Sequence, residues 1–64
     1  MNNTLSQKIK YARKKNKITQ TELSKRTNLS RNTIVNFETG KRNPRVRDLQ
    51  KIANALNVSI EELI

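Results

Sequence analysis

Four side chains near the middle of the chain are spaced to meet the edges of nucleobases. Arg31, Asn32, Val35 and Asn36 fall at i, i+1, i+4 and i+5, one ridge of an α-helix, with Ile34 and Phe37 on its other side. Arginine can donate two hydrogen bonds to guanine O6 and N7, asparagine can pair with adenine N6 and N7, and a valine methyl can meet the methyl of thymine. A helix entering the major groove needs such a ridge. As a merely solvated face it would leave Val35 an exposed apolar side chain without a use. Beyond it, Lys41, Arg42 and Asn43 follow Gly40, with Arg45 close behind. This cationic loop suits phosphate oxygens, contacts that position a protein on nucleic acid without reading its sequence. Gln20 opens an earlier helical segment, where free backbone N–H groups and the positive end of the helix dipole also suit a phosphate.

The remaining chemistry is narrowed by what is missing. The 64 residues contain no His and no Cys, which removes disulfides, thiolate or imidazole zinc sites, Ser-His and Cys-His nucleophiles, and imidazole pH sensing. Ser6, Ser24, Ser30 and Ser59 have no histidine base, so an enzyme is not expected; no metal or cofactor is expected either, and no small-molecule ligand is evident. A chain this short buries only about 60% of the surface its unfolded form exposes, which leaves little room for a catalytic cleft. Fourteen Lys and Arg against five Asp and Glu give a net charge of +9, so a polyanion is the first partner to consider. Residues 1–51 carry +11 and residues 52–64 carry −2, which confines anion binding to the first part of the chain. No more than two apolar residues run together, so neither a signal peptide nor a membrane span is expected.

The elements that must position these groups are marked by their ends. An N-cap Ser or Thr with Glu or Gln three residues later satisfies two orphan amides reciprocally, and the pattern occurs at Thr4-Leu5-Ser6-Gln7, Thr19-Gln20-Thr21-Glu22 and Ser59-Ile60-Glu61-Glu62. Hydrophobic staples pair Ile18 with Leu23, Leu29 with Ile34 and Val58 with Leu63. Asn16, Asn28, Gly40 and Asn57 are the candidates for left-handed stops, and Asn43-Pro44 supplies a further start. Helices are therefore predicted over 5–15, 20–26, 31–38, 44–56 and 60–64. Apolar residues fall at helical spacing: Leu5, Ile9 and Ala12; Ile34 and Phe37; Val46, Leu49, Ile52, Ala53 and Leu56. The prediction is a compact five-helix all-α domain spanning 1–64, without repeat, linker or strand-like alternation.

The predicted helices 20–26 and 31–38 are short and separated by Thr27 to Ser30, the length of a helix-turn-helix hinge. Here the sequence resembles the Cro/CI-type helix-turn-helix regulators, the XRE family. The likeness rests on Ile18-Thr19-Gln20-Thr21-Glu22-Leu23-Ser24, Asn28-Leu29-Ser30, Ile34-Val35-Asn36-Phe37-Glu38, Gly40-Lys41-Arg42-Asn43-Pro44 and Ile52-Ala53-Asn54-Ala55-Leu56-Asn57-Val58-Ser59. It implies a lambda-repressor-like fold that binds double-stranded DNA, most simply a repressor acting as a homodimer on a palindromic operator. In the family, positions matching Arg31, Asn32, Val35 and Asn36 read bases, and the position of Gln20 contacts phosphate. The resemblance also pairs Arg13 with Glu38 in a partly buried ion pair that fixes the recognition helix. It implies a cytoplasmic, nucleoid-associated protein of bacterial or phage origin. Asn28 and Lys17 stand where the family commonly has Gly, and Asn16 is expected to take over the turn at Lys17.

Other classes fit less well. An antitoxin-type autoregulator would share the DNA-binding residues. A cationic membrane-surface protein would share the charge, but residues 5–15 carry Leu5, Ile9 and Ala12 without Trp or Phe, and a lipid-bound peptide needs no capping boxes. RNA binding would call for stacking platforms, and Tyr11 and Phe37 are the only aromatics. The lysine-rich run of Lys8, Lys10, Arg13, Lys14, Lys15 and Lys17 reads mainly as a solvated face. Ile60, Leu63 and Ile64 offer either a dimer surface or a cap on the core.

Overall fold

The structure is a computed structural model that describes residues 4–64. Four α-helices follow one another, α1 (Thr4–Lys15), α2 (Gln20–Thr27), α3 (Arg31–Thr39) and α4 (Val46–Leu56), and a 3-10 turn (Ile60–Glu62) closes the chain. The Thr4–Gln7 capping box rests on the Thr4 side chain, which lies outside the described residues. Thr19 Oγ1 accepts from the Glu22 N–H at 3.0 Å, while the Glu22 carboxylate turns to Arg26 Nε at 3.0 Å rather than back to the cap. Ser30 Oγ caps α3 by accepting from the Thr33 N–H at 3.0 Å. At the C-terminal turn Glu62 Oε2 reaches back to the Ser59 N–H at 3.5 Å, the long arm of a capping box.

One core serves every element. Ile9, Ile18, Leu23, Ile34, Phe37, Leu49, Ile52, Ala53, Leu56 and Leu63 are buried together, with Leu5, Ala12, Leu29, Ala55, Val58 and Ile60 packed against them. All six staple residues belong to this cluster, so each chain entry is tied to the same apolar interior. Arg26 also bridges α2 to α4 by donating from Nη1 to the Ala55 carbonyl at 3.3 Å.

The five-helix expectation is corrected at the C-terminus. The segment 60–64 is too short for an i to i+4 ladder. It closes instead with i to i+3 bonds, from the Glu62 N–H to the Ser59 carbonyl and from Leu63 to Ile60, both at 3.0 Å. Leu63, fully buried, plugs the core there. The fourth helix starts at Val46 rather than at residue 44, with Arg45 as an extended N-cap that makes no side-chain capping bond. Pro44 favours an extended residue before it, and 41–45 form the connection instead of a first turn. Val46, expected on the buried stripe, is 77% exposed; Leu49, Ile52, Ala53 and Leu56 suffice to bury α4.

The turn between α1 and α2 departs from expectation in a way that affects stability. Lys17, not Asn16, adopts the left-handed conformation, at φ 57°. Its N–H bonds the Lys14 carbonyl at 2.9 Å and the Ile18 N–H bonds the Arg13 carbonyl at 3.1 Å, the two hydrogen bonds of a Schellman ending. Asn16 is used differently: its Nδ2 donates to the Ala12 carbonyl at 2.8 Å. A Cβ crowds the following carbonyl in the left-handed region, at a cost of about 1–2 kcal/mol. Lys17→Gly is therefore expected to stabilise the fold by about 1 kcal/mol and to raise Tm by roughly 4–8 °C in thermal unfolding followed by circular dichroism. An unchanged or lower Tm would show that Lys17 carries no strain.

Candidate nucleic-acid interface

Between α2 and α3 the chain turns through three residues. Asn28 caps α2 in the left-handed region at φ 64°, Leu29 dips into the core, and Ser30 starts α3. Buried Thr27 bolts this hinge: its hydroxyl donates to the Leu23 carbonyl at 2.8 Å and accepts from the Leu29 N–H at 3.3 Å. Asparagine tolerates the left-handed region better than most residues, which allows the hinge to form without glycine.

The hinge fixes α3 with Ile34 and Phe37 in the core and a polar side outward. Arg31 and Asn32 are exposed, and Val35 and Asn36 are half-buried, so the structure brings all four to one continuous outer surface. Thr39 also lies on that surface, a position the sequence reading omitted although it stands seven residues after Asn32. Its hydroxyl is turned back onto the Val35 carbonyl at 2.9 Å.

Behind this surface sits a buried ionic cluster. Glu38, on the inner side of α3, has a side chain only 2% exposed and meets Arg13 of α1 in a two-pronged contact. Arg13 Nε donates to Glu38 Oε2 at 2.6 Å and Nη2 donates to Oε1 at 3.0 Å. Arg13 Nη1 donates to the Ile18 carbonyl at 2.8 Å, which binds the α1–α2 turn into the same cluster. Gln20, at the start of α2, joins it too, with Nε2 donating to Glu38 Oε1 at 3.1 Å. Nothing local in the sequence signals this last contact, which joins residues 18 positions apart.

The loop after α3 is placed beside the exposed ridge. Gly40 ends α3 at φ 80°, and the Arg42 N–H returns to the Asn36 carbonyl at 3.2 Å. The Arg42 guanidinium lies 6.0 Å from the centre of the Phe37 ring, at the outer limit of a cation–π contact. Lys41, Asn43 and Arg45 are exposed around it. The cationic loop and the outer face of α3 thus follow each other without a break. No helix among the described residues is long and apolar enough to cross a membrane.

Known proteins share this fold. Residues 9–63 match the helix-turn-helix family model. The chain is 34% identical over 61 residues to an immunity repressor protein of Bacillus phage phi105, covering 95% of this chain and 42% of that protein. The chain therefore spans less than half the length of the phage repressor. It is 45% identical over 56 residues to an HTH-type transcriptional regulator of Archaeoglobus fulgidus, covering 88% of this chain and 79% of the other. Among solved structures, the restriction-modification controller protein C.AhdI from Aeromonas hydrophila superposes with a TM-score of 0.92 at 26% identity, covering 95% of this chain and 92% of that one. With a hinged helix pair, an outward polar ridge and a match over most of its length, the chain belongs to the helix-turn-helix, XRE-type family of DNA-binding transcriptional regulators.

Proposed function

We propose that the protein is a sequence-specific repressor that lays α3 in the major groove and binds a near-palindromic operator as a homodimer. The observation that carries this reading is the division of α3 into two faces. Ile34, Phe37 and Glu38 anchor it, which leaves Arg31, Asn32, Val35 and Asn36 on the outside. A helix with its side chains is about 10–12 Å across and the major groove about 12 Å wide, so the fit brings this face against base edges. Arg31 serves guanine, Asn32 and Asn36 serve adenine, and Val35 meets a thymine methyl. Lys41, Arg42, Asn43 and Arg45 grip the flanking phosphates, with Gln20 and the N-terminal amides of α2 holding another.

Two copies would set half-sites about 34–36 Å apart, one turn of the duplex. Of the apolar residues near the C-terminus, Leu63 is committed to the core, which leaves half-buried Ile60 and exposed Ile64 to contribute to the dimer contact.

The charge part of the reading is tested on duplex DNA of arbitrary sequence. Lys41→Ala is expected to weaken binding and to flatten the dependence of log K on log salt by about one unit, the signature of one released counterion. Fluorescence anisotropy at several salt concentrations reads both quantities. An unchanged slope would remove Lys41 from the phosphate contacts.

A further inference from the structure

Gln20 is the only residue assigned to a phosphate whose side chain is also recorded in the buried ionic cluster. The Glu38 carboxylate is gripped by Arg13 through both oxygens, and the Gln20 amide shares Oε1 with the Arg13 Nη2 at 3.1 and 3.0 Å. A carboxylate held by a guanidinium only accepts hydrogen bonds, so the Gln20 amide has one permitted orientation. Turned over, it would press its own carbonyl oxygen against Oε1.

We propose that Glu38 is a positioning residue for DNA binding, acting through Gln20. An amide nitrogen carries two hydrogens. With the first held by Glu38, the second diverges from it in the amide plane and is the one left for a phosphate at the start of α2. Free glutamine side chains lose rotamer freedom when they bind; this one has lost it in advance, as a preorganised contact should. Arg13 is a part of the device, because it fixes the carboxylate that fixes the amide. The ion pair therefore does more than join α1 to α3: it aims a neutral donor at the nucleic acid. The inference rests on the reading of Gln20 as a phosphate contact.

Two experiments separate its failure from the failure of that reading. The first measures the affinity of the full chain for a 20-base-pair duplex of arbitrary sequence, for Gln20→Ala in the native background and in the Arg13→Met, Glu38→Leu background. That pair of apolar replacements removes the hook while leaving the site filled. In the native background Gln20→Ala is expected to weaken binding about tenfold, the scale of a hydrogen bond to a charged group. The salt slope should not change, because no counterion is released by a neutral donor. In the apolar background the same substitution should cost less than twofold. A tenfold loss in both backgrounds would overturn the positioning role and keep the contact. A loss below twofold in the native background would overturn both. The second experiment needs no variant to fold: ¹⁵N relaxation of the Gln20 side-chain amide in the DNA-free protein. An order parameter approaching about 0.85 supports the hook, and one below about 0.6 overturns it.

Discussion

Arg13→Met is expected to remove ~3–5 kcal/mol of folding stability, and Glu38→Leu a similar amount, because each leaves the other charge buried without its counter-charge. The size follows from the surroundings. The two side chains are 9% and 2% exposed, so neither survivor can recover full hydration without opening the domain. A domain of 64 residues has about 3–10 kcal/mol of stability in total. Either single substitution therefore consumes much of it, and urea unfolding followed by far-ultraviolet circular dichroism should show a sample partly unfolded before denaturant is added. The double replacement Arg13→Met, Glu38→Leu should be markedly more stable than either single one, since no orphan charge remains. A coupling energy under ~0.5 kcal/mol in this cycle would place the two groups effectively in solvent and contradict the cluster.

Arg31→Ala and Asn32→Ala should each lose ~1–3 kcal/mol of affinity on the operator and little on arbitrary duplex DNA. Both side chains are exposed on α3, and neither contributes to the apolar core, so folding stability should stay within ~0.5 kcal/mol. The loss is confined to one sequence because base-edge hydrogen bonds exist only where the right base is present, whereas phosphate contacts persist everywhere. The comparison with Lys41→Ala is the informative one. Equal losses on every duplex for all three variants would mean that the outer face of α3 contributes charge and reads nothing.

Local rules made much of this molecule legible in its sequence. Thr19 and Ser30 cap α2 and α3, and Ile18, Leu29 and Val58 staple their neighbours, because these devices act within a few residues of where they are written. The outer face of α3 was legible for the same reason, since helical spacing alone separates Arg31 and Asn32 from Ile34 and Phe37. What was not legible depends on tertiary competition. Lys17 enters the left-handed region because the two hydrogen bonds of its turn outweigh the crowding of its Cβ, while Asn16, the better candidate by residue type, bonds the Ala12 carbonyl. Val46 is exposed because α4 begins with it, just after the 41–45 connection, and Leu49, Ile52, Ala53 and Leu56 alone form the buried stripe. The Arg13 and Glu38 contact spans 25 positions and is legible only through family resemblance; the Gln20 contact has no signal in the sequence at all. The +9 charge likewise divides only in three dimensions: Arg31 lies on the outer face of α3, Lys41 and Arg45 beside it, and Arg13 inside the protein.

The central claim, that α3 reads sequence, is tested most directly by selecting bound duplexes from a random DNA library at two salt concentrations. The account predicts enrichment of a two-fold symmetric site whose half-sites are centred about one helical turn apart. Raising the salt should weaken binding overall while keeping the same bases, since phosphate contacts carry the salt dependence and base contacts carry the choice. Binding without enrichment at either salt concentration would contradict it.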